Sequence, residues 1–272
     1  CGAGGEPVSE MLTRLGAELH IPESQRLPSG EFASCPTPNP ETDSAFDENY
    51  KLAAQCRPDI ILATDPDSDR IAAAIPVGGG FRKLSGNEMG CLLLDYILRN
   101  LKKNGTLPEK PVAVKSIVST PLAERIAAAL GCEMRTVLTG FKYIGGVILE
   151  LEEQGCPERF VLGFEESCGY LKGDYARDKD AVVTAMLIAE MAASYKLEGR
   201  TLGDVMDGLY DEYGHFATGL QNVQFTSDAQ KEHCMALMEA LRRQPPEAVA
   251  AFPVTAVTDF RAGVETVRES GA

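Results

Sequence analysis

The sequence lacks the features that would place it in a bilayer, on nucleic acid or around zinc. No apolar run in its 272 residues approaches the roughly 18 needed to cross a membrane, and no basic-then-apolar leader opens it. Histidine occurs only three times. The eight cysteines (Cys1, Cys35, Cys56, Cys91, Cys132, Cys156, Cys168 and Cys234) stand singly, without the Cys-x-x-Cys pairs or nearby histidines that a zinc site uses. They read as reduced thiols of a cytoplasmic protein. Basic side chains are scarce: 26 Lys and Arg stand against 40 Asp and Glu, a formal net charge of -14. Binding a phosphate backbone needs a basic footprint, so nucleic acid is excluded as the expected partner. An anionic small molecule could still be held by a local cluster of cations. Apolar residues are plentiful, and 44% hydrophobic composition over this length suffices for roughly two domains with cores of their own. The first residue is cysteine rather than methionine, which suggests a piece of a longer chain.

The most informative stretch runs Ile60-Ile61-Leu62-Ala63-Thr64-Asp65-Pro66-Asp67-Ser68-Asp69-Arg70. Asp59 to Thr64 reads as a short buried strand, and Pro66 stops it by removing a backbone donor. Three alternate carboxylates therefore sit at a strand's carboxyl end. So close together they raise one another's pKa unless a cation holds them ionised, and hard oxygen donors suit Mg2+. An EF-hand is excluded, because its loop needs glycine at the sixth position and glutamate at the twelfth, where counting from Asp65 gives Arg70 and Pro76. The aspartyl phosphatases also place Asp-x-Asp after a buried strand, but Pro66, Asp69 and Arg70 fit a three-ligand site better.

Around this loop the chain alternates strands and helices. Gly2 to Gly5 and Pro7 lead into a helix with apolar positions Val8, Met11, Leu12 and Leu15. The glycines fit a tight turn better than a phosphate loop. A strand is expected before them and another over Ala17 to Ile21. Pro22 to Pro40 is a proline-rich connection, Glu41 to Cys56 a helix, and Ile71 to Val77 with Phe81 to Leu84 a hairpin. Ser85 to Glu88 caps a helix over Met89 to Lys103. Then come strand Val112 to Val118, helix Leu122 to Leu130, strand Glu133 to Leu138, helix Tyr143 to Glu153, strand Phe160 to Gly163 and helix Asp180 to Tyr195. The expected fold is α/β: two consecutive α/β/α layered domains, residues 1–84 and 85–213, with mixed, largely parallel sheets, and a C-terminal connector over 214–272.

Ligands bind beyond the carboxyl ends of such strands. There lie Thr139, Gly140 and Lys142 after one strand, and Glu165, Glu166 and Ser167 after the next. The two glutamates and the serine offer acceptors and a donor for vicinal hydroxyls. Lys142, Arg177 and Lys179 supply the local cations that an acidic chain needs for a phosphate.

Taken in order, Thr64 to Arg70 (TDPDSDR), Thr139 to Gly145 (TGFKYIG), Gly163 to Tyr170 (GFEESCGY) and Ala176 to Val182 (ARDKDAV) resemble the α-D-phosphohexomutases, the phosphoglucomutase and phosphomannomutase group. The resemblance covers nearly the whole chain and corresponds to the second and third of four domains, with Gly219 to Ala272 as connector and start of the fourth. It implies Asp65, Asp67 and Asp69 as Mg2+ ligands and Arg70 beside the phosphoryl-transfer centre. It further implies Glu165 and Ser167 on sugar hydroxyls, Thr139 and Gly140 lining the same site, and Lys179 and Arg177 meeting the substrate. Lys115 is a further candidate to face the cleft. In such enzymes a phosphoserine exchanges its phosphoryl group with a sugar phosphate through a sugar 1,6-bisphosphate that turns round. A sugar that binds in two orientations needs a clamp working from both ends, a task two carboxylates on one loop could serve. The chain departs from the pattern in having no serine in a Ser-His-Asn-Pro setting and no Arg-Pro-Ser-Gly-Thr phosphate loop. The implied partners are a sugar phosphate and the remaining domains of a parent chain, and this chain alone is expected to be inactive. Gly169-Tyr170, where mannose-preferring members tend to carry histidine, points toward glucose phosphate or a pentose phosphate without deciding between them, and mannose phosphate stays a possible substrate.

Overall fold

The computed structural model describes residues 2–218 and 225–268. Cys1 and part of the expected connector from Gly219 onward lie outside the described residues. The chain forms two compact units, Cys1–Ala217 and Thr218–Ala272.

In the first unit α1 (Gly5–Arg14) follows the glycine turn, and α2 (Glu23–Arg26) is a single turn within the proline-rich stretch. A 3-10 turn, Asp43–Phe46, leads into α3 (Asp47–Cys56). β1 (Ile61–Thr64), β2 (Ile71–Val77) and β3 (Gly80–Lys83) form an antiparallel meander, with Thr64 opposite Ile71. The acidic stretch is thus the loop of a hairpin. Two expectations fail here. Ala17 to Ile21 joins no sheet, and this three-stranded sheet has no parallel pair. A strand exists only through a ladder partner, and among the described strands β1 pairs with β2 alone. Ala17 to Ile21 instead lines a cavity of about 900 Å3 together with β1, α1 and α3. This cavity also explains why Leu62, Ala63 and Thr64 are half-buried rather than buried, as the apolar run had suggested.

α4 (Gly86–Lys103) begins at a capping box: Glu88 N–H donates to Ser85 Oγ at 3.2 Å, and Ser85 N–H donates to Glu88 Oε2 at 2.8 Å. It starts three residues before the apolar pattern does, because the cap rather than the first buried side chain sets the helix end. β4 (Val112–Ser116), α5 (Leu122–Leu130), β5 (Glu133–Val137), α6 (Phe141–Glu153) and β6 (Phe160–Glu165) follow. A short β7 (Gly169–Leu171), α7 (Ala181–Leu197) and α8 (Leu202–Tyr213) complete the unit. The sheet order is β5-β4-β6-β7, with β4 parallel to both neighbours and β7 antiparallel at the edge. A run of only three residues gives too short a pattern for β7 to be read from sequence. The α/β expectation and the largely parallel second sheet hold.

Alternate residues of β4 face opposite layers. Val112 and Val114 join Phe141, Ile144 and Ile148 beneath α6, whereas Ala113 joins a core holding Leu92 and Phe164. That second core is continuous with Ile71 and Ile75 of the first sheet and with Phe46 of the 3-10 turn before α3. The hairpin bearing the acids and the parallel sheet therefore share one apolar interior.

The second unit holds α9 (Asp228–Arg243) and two ribbons. The first is β8 (Ala248–Val249) with β9 (Phe252–Pro253), and the second is β10 (Ala256–Asp259) with β11 (Val264–Val267).

The seven described cysteines are free thiols. Burial, the largest influence on each, pushes Cys132 and Cys168 up to about 12 and raises Cys91 further still. Alkylation of the native chain at pH 8 should therefore label Cys56, Cys156 and Cys234, which are partly exposed, and spare those three; mass spectrometry of the digest reads the pattern. A Cβ on Gly90 would collide with the Phe164 ring. Gly90→Ala should accordingly cost about 1–3 kcal/mol, measured as a lower urea midpoint with an unchanged slope.

Candidate active site

The hairpin loop is wound about Asp65. This carboxylate is 3% exposed, and its Oδ1 accepts the amides of Asp69 and Arg70, each at 3.1 Å. Its Oδ2 accepts Arg70 Nε at 2.9 Å. Burial raises the Asp65 pKa, the largest influence, and hydrogen bonds from Arg70 pull against it. Ser68 closes the turn at φ +62°, its amide donating to the Asp65 carbonyl at 3.2 Å. Both oxygens of Asp65 thus already accept hydrogen bonds within the loop, and what they can offer a cation is a lone pair left over from those bonds.

The glycines at the chain's start pack on this loop. Ala3 N–H donates to the Pro66 carbonyl at 2.7 Å, and a Cβ on Gly4 would stand 2.5 Å from Ser68 Oγ. Close approach to this loop accounts for Gly2 and Gly4, whereas Gly5 has open space around it. Ser68 Oγ itself is buried without a hydrogen-bond partner among the described residues.

Asp65, Asp67 and Asp69 each present a carboxylate oxygen within 4.8 Å of the others. Three clustered hard donors, of which Asp67 is exposed and Asp69 half-buried, fit Mg2+ better than a softer metal. Lys179 answers part of this charge: its Nζ lies 2.9 Å from Asp69 Oδ2 and 2.8 Å from Asp178 Oδ1. Burial alone would lower the Lys179 ammonium, but the two aspartates outweigh it and hold the group above its ordinary value. Arg70 also reaches Glu41 at 3.0 Å and Asn39 Oδ1 at 3.5 Å, so the end of the proline-rich connection abuts the loop.

The second loop is joined directly to the first. Ile71 N–H donates to the Cys168 carbonyl at 3.0 Å, Ala181 N–H donates to the Ser68 carbonyl at 3.1 Å, and Arg70 bridges Gly169. Gly169 has no side chain because the Lys179 methylenes occupy that space on their way to Asp69. Lys179 also lies over the Phe141 ring, 5.3 Å from its centroid. Beside Phe141, Gly140 at φ +119° donates its N–H to Glu165 Oε1 at 2.6 Å. A continuous path therefore leads from the acids through Lys179 and Phe141 to Gly140 and Glu165. Ser167 is half-buried next to them, and Thr139 is exposed.

Four expected site residues are placed differently. Lys115 does not face open solvent: it is 2% exposed, and its ammonium donates to the Ser119 carbonyl at 3.1 Å and pairs with Glu124 at 3.1 Å. The β4 pleat turns it toward the α5 side. Arg177 is exposed but tied to Glu152 of α6 and to the carbonyls of Asp174 and Ala176. Lys142 lies over the Tyr143 ring, 5.0 Å from its centroid, on the exposed side of α6. Glu166 does not share Glu165's surroundings, and its Oε2 accepts Ser116 Oγ at 2.7 Å and Ser119 Oγ at 3.1 Å. Tyr170, expected beside the sugar loop, is buried with its hydroxyl donating to the Gly86 carbonyl at 3.2 Å. Ser116, Ser119, Asn87 and Asp178 escaped the sequence reading because small polar residues at strand ends, helix starts and loops carry no periodic signal.

Two family models match the chain. Residues 1–78 match "Phosphoglucomutase/phosphomannomutase, alpha/beta/alpha domain II", and residues 85–213 match domain III of the same family. A Haemophilus influenzae protein named "Probable phosphomannomutase" is 34% identical over 273 residues, covering 99% of this chain and 52% of that one. A phosphoglucomutase of Staphylococcus aureus is 32% identical over 255 residues, covering 93% of this chain and 45% of its own length. The chain thus spans about half the length of these relatives. Among solved structures, a phosphoglucomutase/phosphomannomutase family protein from Burkholderia thailandensis superposes with a TM-score of 0.59 at 19% identity, over 76% of this chain and 40% of that one, a likeness of fold.

Asp67→Asn should weaken Mg2+ binding by about tenfold, or ~1.4 kcal/mol, in calorimetric titration. An unchanged affinity removes Asp67 from the metal site.

Proposed function

Because this chain belongs to the phosphoglucomutase/phosphomannomutase family, we propose that it carries the metal loop and the sugar-recognition loop of a Mg2+-dependent mutase that interconverts hexose 1-phosphate and 6-phosphate in the cytoplasm. The observation that carries the reading is the direct joining of the two loops, with Lys179 reaching from the second to Asp69 of the first. Phosphoryl transfer between two ends of a sugar needs metal and hydroxyl recognition at one place.

Asp65, Asp67 and Asp69 hold the cation, which when bound neutralises charge on the phosphoryl group and orients it. Arg70, already braced by Asp65 and Glu41, stands at the loop's end as a fixed cation beside that group. Lys179 adds a second charge. Glu165 accepts a sugar hydroxyl with the oxygen that Gly140 leaves open, Ser167 contacts a neighbouring hydroxyl, and Thr139 and Gly140 form the wall. Lys142 and Arg177, on the exposed side of α6 and its neighbouring loop, are drawn in when a distal phosphate arrives. Family membership favours a hexose phosphate, and the lack of histidine at Gly169-Tyr170 favours glucose phosphate over mannose phosphate. The phosphoserine that exchanges with a sugar 1,6-bisphosphate lies outside this chain's motifs, as does the distal phosphate loop. Other domains of the parent chain are the implied partners.

The 272-residue chain by itself should show no mutase turnover. Joined to the segments that its longer relatives possess, it should turn over glucose 1-phosphate faster than mannose or ribose 1-phosphate in the presence of glucose 1,6-bisphosphate. A chelator should abolish that activity. Turnover by the isolated chain, or chelator-resistant turnover by the joined one, overturns the assignment.

A further inference from the structure

We infer that Glu166 is a positioning residue, which anchors the sugar-recognition loop to the turn between β4 and α5 instead of contacting the sugar. The inference rests on the sugar-site reading above. Successive residues at a strand end project to opposite sides, so Glu165 and Glu166 cannot clamp one ligand as an adjacent pair. Glu165 turns toward Gly140. Glu166 turns the other way, onto two hydroxyls that are themselves almost fully buried: Ser116 is 0% exposed and Ser119 is 3% exposed.

These hydroxyls lie 2.9 Å apart, and both reach Glu166 Oε2. The turn that carries them is secured independently. The Ser119 carbonyl accepts the buried Lys115 ammonium, which Glu124 balances, and Thr120 N–H donates to Asn87 Oδ1 at 2.9 Å from the first turn of α4. The Glu166 backbone is pinned as well, since any side chain at Gly86 would collide with its carbonyl. The loop between Glu165 and Cys168 is therefore held from three sides. Cys168 stands at φ +68°, a conformation unfavourable for a residue with a Cβ, and an anchor just before it sustains the bend. Removing the carboxylate leaves one of the two buried hydroxyls short of an acceptor, since the other can donate across the 2.9 Å between them, and frees the loop to shift. Glu165 and Ser167, the groups assigned to the sugar, shift with it. Lys115 is thereby accounted for: it fixes the turn on which Glu166 rests, two steps removed from the ligand.

The test compares Glu166→Ala, Glu166→Gln, the pair Ser116→Ala with Ser119→Ala, and Glu165→Ala in the 272-residue chain. Saturation-transfer NMR at millimolar glucose 1-phosphate, with Mg2+ present, reports weak sugar binding; calorimetric Mg2+ titration and the melting temperature serve as controls. The expected result is a loss of about tenfold in glucose 1-phosphate affinity for Glu166→Ala, the order seen when a group that orients ligand-holding residues is removed. The serine pair should lose the same amount, and combining it with Glu166→Ala should cost no more. Glu166→Gln, which keeps an acceptor oxygen, should recover most of the binding. Mg2+ affinity should not move, whereas general unfolding would lower it together with the melting temperature. If Glu166→Ala loses sugar affinity while the serine pair does not, Glu166 touches the sugar and the positioning role is wrong. Equal binding by wild type and Glu166→Ala, with Glu165→Ala impaired, likewise overturns the positioning role but leaves the sugar site intact. Absence of binding even by the wild-type chain removes the sugar-site reading, and this inference with it.

Discussion

The backbone hydrogen bonds between the acidic hairpin loop and the Glu-Glu-Ser loop are the constraint on which the rest of the site depends. Ile71 gives its amide to Cys168, and Ala181 gives its amide to Ser68. Main-chain groups buried at such a junction must be paired, so the two loops are tied to each other at Cys168 and at Ser68. One rigid edge is thereby made from residues about a hundred positions apart. The continuous apolar core beneath, from Phe46 and Ile71 to Phe164 and Ile188, keeps the two sheets in register with that edge.

Charge follows the same logic on a smaller scale. A chain of net charge -14 has few cations to spare, and it places two of them at the acidic loop. Arg70 is held by Asp65 and Glu41, and Lys179 by Asp69 and Asp178. Each is fixed by carboxylates on more than one segment, which sets its direction as well as its presence. Preorganised charge of this kind is worth more to a phosphoryl group than mobile surface lysines, because little reorganisation is left to be done on binding. Lys142 and Arg177 differ in this respect, being exposed and tied only to α6 or its neighbouring loop.

The glycines show how local composition can point to the right region for a reason that only packing discloses. Gly4 and Gly169 are bare because Ser68 and Lys179 occupy the space that their side chains would take. Neither clash can be read along the chain, since each is set by how the backbone folds back on itself.

The sequence by itself determined the α/β alternation of residues 85–213, the capping box at Ser85, and the grouping of Asp65, Asp67 and Asp69 on one loop. Apolar periodicity, turn chemistry and close spacing are local properties, so they survive reading in one dimension. The antiparallel pairing of β1 with β2, the failure of Ala17 to Ile21 to become a strand, and the brief β7 all required knowledge of which segments lie side by side. So did the separation of Glu165 from Glu166 and the burial of Lys115. Tertiary structure decided these because a ladder partner, a facing hydroxyl or an excluded volume is supplied by a remote part of the chain, and no residue's own identity specifies it.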